Sequence, residues 1–269
     1  MPSTPSTVVR AHAHSFVAAV AALVVLAGSA AAQSEPIVTD RPDFTESTSV
    51  VPRGMLQVEG GYTFERAGAV HTHAIGEVLG RVGLLDALEL RIGLNSYTIT
   101  SVAGGSSTGV EDASLGVKLG LLRRDGHGAA FPEAALIVAT GLPTGGSAVT
   151  AGGWEPEAKL ALGWDLSERL GVAANLNAAS LHGNGGRTGE LAGSVSFGYS
   201  LTDRIGSYAE YYGFYPTSGP GADTHFANAG LTYLLTDDFQ VDARVGHNLG
   251  SPEGDYFFGI GLARRWGHR

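Results

Sequence analysis

Leu56-Gln57-Val58-Glu59-Gly60-Gly61-Tyr62-Thr63-Phe64-Glu65 alternates strictly between two kinds of residue. One parity is Leu, Val, Gly, Tyr, Phe; the other is Gln, Glu, Gly, Thr, Glu. Successive side chains of a strand point to opposite faces, so this strand has an oily face and a wet one. One such strand fits any half-buried sheet. About twelve in series behind an export signal predict an all-β fold, a transmembrane antiparallel β-barrel of an outer membrane.

The export signal is read in residues 1–32. Arg10 precedes the apolar run Phe16 to Leu26, and Ala30-Ala31-Ala32 supplies small residues for cleavage near Ala32. That run is shorter than the ~20 residues a spanning helix needs, and no longer one follows. Any membrane crossing must therefore be made by strands closed into a barrel. The formal net charge is −9, and the signal carries only one charged residue, Arg10. An acidic mature chain argues against nucleic acid as a partner. The chain has no cysteine, so no disulfide framework exists.

A turn pattern recurs between the alternating stretches. It reads Leu84-Leu85-Asp86-Ala87-Leu88, Leu166-Ser167-Glu168-Arg169-Leu170, Leu201-Thr202-Asp203-Arg204-Ile205 and Leu235-Thr236-Asp237-Asp238-Phe239. Arg123 to Gly128 occupies a fifth such place. These turns place about twelve strands between 54 and 266. The opposite connections, 67–72, 100–109, 143–153, 182–188, 216–224 and 250–254, are expected as longer external loops. Short periplasmic turns with long external loops suit an outer-membrane barrel of a Gram-negative bacterium.

Register about the turns pairs Gly198 with Tyr208, Ser196 with Glu210, Thr232 with Asp242 and Gly230 with Arg244. Large or charged residues thus oppose small ones, as a narrow interior requires. Arg81, Arg91, Lys118, Lys159 and Arg244 share one parity. Each would cost about 2–4 kcal/mol at the lipid midplane, so this parity faces the lumen. Trp164, Tyr199, Tyr233, Phe239 and Trp266 suit a periplasmic aromatic girdle; Phe64, Tyr215 and Tyr256 suit the external one. A soluble sandwich with the faces reversed is the alternative, but its core would be too large for one small domain.

Further residues suggest a family. Thr39-Asp40-Arg41-Pro42-Asp43-Phe44-Thr45-Glu46-Ser47, Gly54 and Glu59-Gly60-Gly61-Tyr62 resemble the opening of outer-membrane transporter-like proteins labelled for the meta pathway of phenol degradation. Glu111 to Lys118, Thr140 to Gly145, Glu210 to Gly213 and Asp242 to Gly246 extend the likeness over most of the mature chain. The resemblance implies an outer-membrane barrel that passes small solutes, aromatic or hydrophobic ones included. It implies no catalytic role.

The candidate solute pathway is the charged lumen: Glu59, Glu77, Arg81, Glu89, Arg91, Lys118, Lys159, Glu210, Asp242 and Arg244. Arg81 faces Arg91 across a turn, and Glu89 and Glu77 are the carboxylates expected to compensate them. Residues 33–53 lack alternation and form a candidate plug at the periplasmic mouth through Asp40, Arg41, Asp43 and Glu46. A disordered leader is the alternative. Tyr97, Tyr208, Tyr212 and Phe214 fall on the lumen parity as possible ligand contacts, with no dedicated aromatic cage visible.

Enzyme signals are poor. Leu181-His182-Gly183-Asn184-Gly185 loosely resembles an outer-membrane phospholipase motif but lacks its serine, so acyl chemistry has no nucleophile. His71-Thr72-His73 has no obvious third metal ligand and reads as a loop pair. No cofactor is expected. The leading expectation is a passive channel whose partners are outer-membrane lipid and a small solute. It is expected as a monomer, with an oligomer left open. A non-transporting surface barrel and a lipid-modifying enzyme are the other readings.

Overall fold

Arg81, Lys118, Glu59, Glu89 and Asn175 are 0% exposed, whereas Leu94 is 54%, Leu176 61% and Ile260 60% exposed. This inversion of ordinary burial is what the alternating strands predict once their wet faces enclose an axis.

The computed structural model describes residues 35–123, 131–183, 186–218, 221–251 and 254–267. The expected signal, 1–32, and most of the expected turn at 123–128 lie outside the described residues. The strands are β1 (Leu56–Ala67), β2 (Val70–Leu85), β3 (Leu88–Val102), β4 (Gly105–Val110), β5 (Ser114–Leu122), β6 (Glu133–Gly141) and β7 (Glu155–Asp165). They continue with β8 (Leu170–Gly183), β9 (Gly186–Ser200), β10 (Ile205–Pro216), β11 (Thr224–Thr236), β12 (Phe239–Asn248) and β13 (Tyr256–Trp266). Neighbours are antiparallel, and β13 pairs with β1 to close the sheet. Closure leaves no exposed edge, a condition for spanning lipid.

β4 and β5 both pair with β3, along Tyr97–Val102 and Leu88–Gly93. They are two halves of one stave, so the barrel has 12 staves. The break at residues 111–113 holds an external connection in place. The Asp112 carboxylate accepts from Gly145 N (2.6 Å), Ala151 N (2.9 Å) and the Thr150 hydroxyl (3.1 Å).

The repeated turns close as their side chains dictate. Leu201 N and Thr202 N donate to Ile205 O, and the Thr202 hydroxyl accepts from Arg204 N and Ile205 N. Ser167 does the same for Arg169 and Leu170. Such hydroxyls satisfy backbone donors that no ladder reaches. The register pairs Gly198–Tyr208, Ser196–Glu210, Thr232–Asp242 and Gly230–Arg244 all form.

Three connections differ from the expected loops. Residues 67–72 and 100–109 are mostly strand, and so are the described residues of 182–188. Val70, Thr72, Thr98, Ile99, Thr100 and Val102 are β-branched and continue the ladders. Gly68 (φ 57°) and Gly104 (φ 95°) make the reversals. His71 and His73 are therefore on β2, where His73 Nδ1 lies 2.8 Å from the Tyr62 hydroxyl. His182 likewise sits on β8 rather than in a loop.

A second difference is the β2–β3 bulge. The register shifts between Ile75 and Leu79, where Glu77 and Asn95 adopt φ of 44° and 50°. The extra residue reverses parity beyond it. Ser96 and Thr98 are buried, and Tyr97 pairs with Ile75 and with exposed Val110. Tyr97 thus faces outward and is not a lumen residue.

Candidate functional site

Residues 35–55 precede β1 and contain no named strand. Two prolines, Pro42 and Pro52, and the lack of alternation keep them out of the ladders. Yet Ile37, Asp40, Thr45, Val50, Val51 and Met55 are all buried, because the segment lies inside the barrel. It enters at the turn end, where Ile37 N donates to Asp237 O (2.7 Å). It reaches Tyr212 on β10 through Phe44. It returns at Val51, whose N donates to Glu89 Oε2 (2.7 Å), and at Gly54, whose N donates to Gly83 O (2.8 Å).

Buried backbone donors need acceptors, and the wall supplies them. Asp40 N (3.0 Å) and Arg41 N (3.1 Å) donate to Glu59 Oε2. Phe44 N (2.9 Å) and Thr45 N (2.6 Å) donate to Glu210. Glu46 N donates to Asn175 Oδ1 (2.7 Å). Glu59, Glu210 and Glu89 thus act as side-chain substitutes for a partner strand.

Two ionic patches lock the side chains. On the first, Asp40 meets Lys118 (2.7 Å), Arg91 (2.6 Å) and Arg81 (3.3 Å). Glu46 meets Arg91 (2.7 Å) and Lys159 (2.6 Å). Glu59 and Glu89 hold Arg81 at 2.9 and 2.8 Å. Arg81, Arg91, Lys118 and Lys159 of the wall thus face Glu59 and Glu89, with Glu157 4.0 Å from Lys159 at the margin, and the segment adds two closer carboxylates, Asp40 and Glu46. On the second patch the segment contributes a cation: Arg41 lies 2.6 Å from Glu77 and 3.5 Å from Asp242. Arg244 joins it, 3.4 Å from Glu77 and 2.9 Å from Pro42 O. Glu77 therefore does not compensate the Arg81–Arg91 pair, as the sequence suggested. The bulge at its positive φ carries it to the second patch.

Burial alone would raise Asp40, but Arg81, Lys118 and Arg91 outweigh it and hold the carboxyl well below its usual range. Burial also opposes ionised Glu46, yet Lys159 and Arg91 bring it down to about 2. Asp43 goes the other way: burial and the neighbouring Glu210 carboxylate push it well above an ordinary carboxyl.

The segment separates two sets of cavities. Toward the external end lies one of about 570 Å³ and beside it one of about 300 Å³. Toward the turns lie cavities of about 570 and 740 Å³. An aromatic cluster, not anticipated from the sequence, lines the larger external cavity. Phe44 stacks on Tyr212 at 4.5 Å, Tyr212 stacks on Phe226 at 5.0 Å, and Phe214 meets Phe44 edge-on at 5.3 Å. Arg244 lies over Phe257, 5.5 Å from the ring centre. Tyr212 and Phe214 thus join this cavity, whereas Tyr208 lines the one near the turns.

All ten candidate lumen residues project inward, as do Asp40, Arg41, Asp43 and Glu46 from the segment. Sequence reasoning missed Gln57, Asn175, Asn228 and Phe226. Parity offered a signal for each: Gln57 is two residues before Glu59, and Asn228 pairs with Glu210. Phe44 had no periodic signal. Among the described residues no group of three or more His, Cys, Asp or Glu side chains could hold a metal.

Comparison with known proteins fits this geometry. The family model described as "Putative MetA-pathway of phenol degradation" matches residues 39–266, and the chain belongs to that family. No curated protein matches the sequence. Among solved structures, the COG4313 outer membrane channel from Pseudomonas putida F1 is similar with a TM-score of 0.61 and 16% identity, over 81% of this chain and 98% of that one. The NanC porin gives 0.53 and 10%, over 78% and 98%. The KdgM porin in complex with disordered oligogalacturonate gives 0.51 and 12%, over 79% and 99%. The fold is that of an outer-membrane channel-type barrel.

Proposed function

We propose that this member of the phenol-degradation family is an outer-membrane conduit for passive diffusion of small solutes. In this reading residues 37–51 are an internal plug, and the ring-lined external cavity receives aromatic solutes. The observation that carries it is the aromatic cluster lining the externally facing cavity of about 570 Å³. Stacked and edge-on rings favour a planar aromatic guest by about 0.5–1.5 kcal/mol per pair beyond area burial. Glu46, Glu77, Arg91 and Lys159 around the rings are ion-paired within the protein, so the rings are the surface that a neutral solute meets there. Of the lumen residues, Glu77, Arg91, Lys159 and Arg244 line this cavity and act as its electrostatic filter, whereas the fully buried Arg81, Glu89 and Lys118 hold the segment.

No energy-coupling or catalytic step is assigned. The test is planar-bilayer conductance and liposome swelling with refolded mature protein. Phenol and benzoate are compared with aliphatic solutes of similar size. Aromatic solutes should enter faster, and Phe44→Ala with Tyr212→Ala should abolish the preference. Equal rates for both solute classes in the unmodified protein would refute the aromatic reading. Absence of current and swelling would leave a closed, non-transporting barrel.

A further inference from the structure

Among the described residues, the external cavity and the 570 Å³ cavity near the turns share three lining residues, Arg41, Pro42 and Asp43. This tripeptide is the septum between them. The wall behind it, on β10 to β13, differs from the wall that carries the first ionic patch.

Gly206 and Gly230 lie there across from Thr232 and Arg244, and Gly261 lies opposite Asp242. A methyl at Gly261 would come within 2.5 Å of Arg41 Nε, so the guanidinium rests on bare backbone. Tyr208 fills the space over Gly230 in the same way.

Most of the buried polar side-chain atoms without a hydrogen-bond partner gather at this place; Asn177 Oδ1, Asn228 Oδ1 and Trp266 Nε1 are the others among the described residues. Among the described residues, the Tyr208 hydroxyl, Arg244 Nε, Arg41 Nε and Nη2, and both Asp242 oxygens make no hydrogen bond within the protein. The Asp242 side chain is 0% exposed, and among the described residues its one ion pair, to Arg41, is 3.5 Å long. On the opposite side Arg81, Glu89 and Lys118 of the wall and Asp40 of the segment are saturated by bonds of 2.6–2.9 Å. Buried polar groups are nearly always bonded, and water is the partner left to this cluster.

We propose that solutes and ions pass the segment along this seam, between Arg41–Pro42–Asp43 and β10–β13, and that Tyr208 is its narrowest element. The conduit reading of the preceding subsection underlies this step. The seam adds the route, which is lateral to the segment and one residue row deep. Asp242 and Arg41 border it and set its ion preference.

The chain has no cysteine, so one introduced thiol is unique. Thr232→Cys, on the seam wall, is nearly isosteric. Ala135→Cys, buried on the opposite wall, is the control. Both are refolded, checked for heat-modifiable mobility, and exposed to charged methanethiosulfonates in a planar bilayer. Modification of Thr232→Cys should cut unitary conductance at least twofold and leave Ala135→Cys unchanged. Tyr208→Ala should raise conductance at least twofold before any modification. Current that survives complete modification of Thr232→Cys, shown by mass, overturns the seam while the conduit stands. Failure of that thiol to react in a conducting barrel overturns it equally. A wild-type protein that passes no current overturns both.

Discussion

Asp40→Ala removes the carboxylate on which Lys118 (2.7 Å), Arg91 (2.6 Å) and Arg81 (3.3 Å) converge. Three cations are then left facing one another in a closed space, with Glu59 and Glu89 as wall carboxylates and Glu46 still on Arg91. Breaking a buried pair by deleting one partner costs about 3–5 kcal/mol. Because the Asp40 side chain is only 3% exposed, solvent screening does not soften this figure. The wall strands keep their ladders, so the loss falls on docking of the segment rather than on the barrel. At about 1.36 kcal/mol per factor of ten, the undocked population rises roughly 10²- to 10⁴-fold. Single-channel recording should show long openings of larger conductance, and protease added on the turn side should cleave within 35–55. Replacing the stranded ammonium as well, with Asp40→Ala plus Lys118→Met, should recover much of the docking. Unchanged opening times and unchanged protease resistance in Asp40→Ala would refute the assignment of the lock.

Acid should release the segment. Glu46 is held down at about 2 from an ordinary 4.5, and a depressed carboxyl contributes stability above its unfolded pKa that is lost as pH falls through the folded one. Conductance should therefore be constant near neutrality and rise between about pH 4 and 2; a flat profile over that window contradicts it. Gly83→Ala would drive a methyl into the Pro52 and Val51 carbonyls. The expected result is looser docking with an intact barrel, read as greater conductance at unchanged heat-modifiable mobility. Leu176→Arg puts a charge on a 61% exposed outward position within β8. It should destabilise the barrel by about 2–4 kcal/mol in urea unfolding from liposomes, whereas the same change on a soluble surface would cost almost nothing.

The barrel was legible because a period of two repeats in strand after strand and the turn hydroxyls mark where each ends. Once Leu201 and Ile205 are set opposite one another, Ser196–Glu210 and Gly198–Tyr208 follow by counting. Counting fails where a residue is inserted. The type of Glu77 does not announce its positive φ, and Asn95, a type that tolerates that region, gives only a weak sign; beyond that bulge Tyr97 changed sides and Glu77 changed partners. The interior segment was harder still. Its backbone is satisfied by side chains from β1, β3, β8 and β10, so no local pattern encodes its path. Phe44 acquires its meaning only from Tyr212 and Phe214, far along the chain.

That dependence on distant partners fixes an order of assembly. Thr45 bonds a residue 165 positions later, Thr39 one 201 later and Glu35 one 230 later. The stretch synthesised ahead of every strand cannot be seated until the final hairpin has formed. Contacts of such separation are the slowest to gain. A newly closed ring is therefore flooded, with its arginines and lysines hydrated, and drying of the interior is the last folding event. Both ends of the stretch stay at the turn side, so it can arrive and leave only through that mouth.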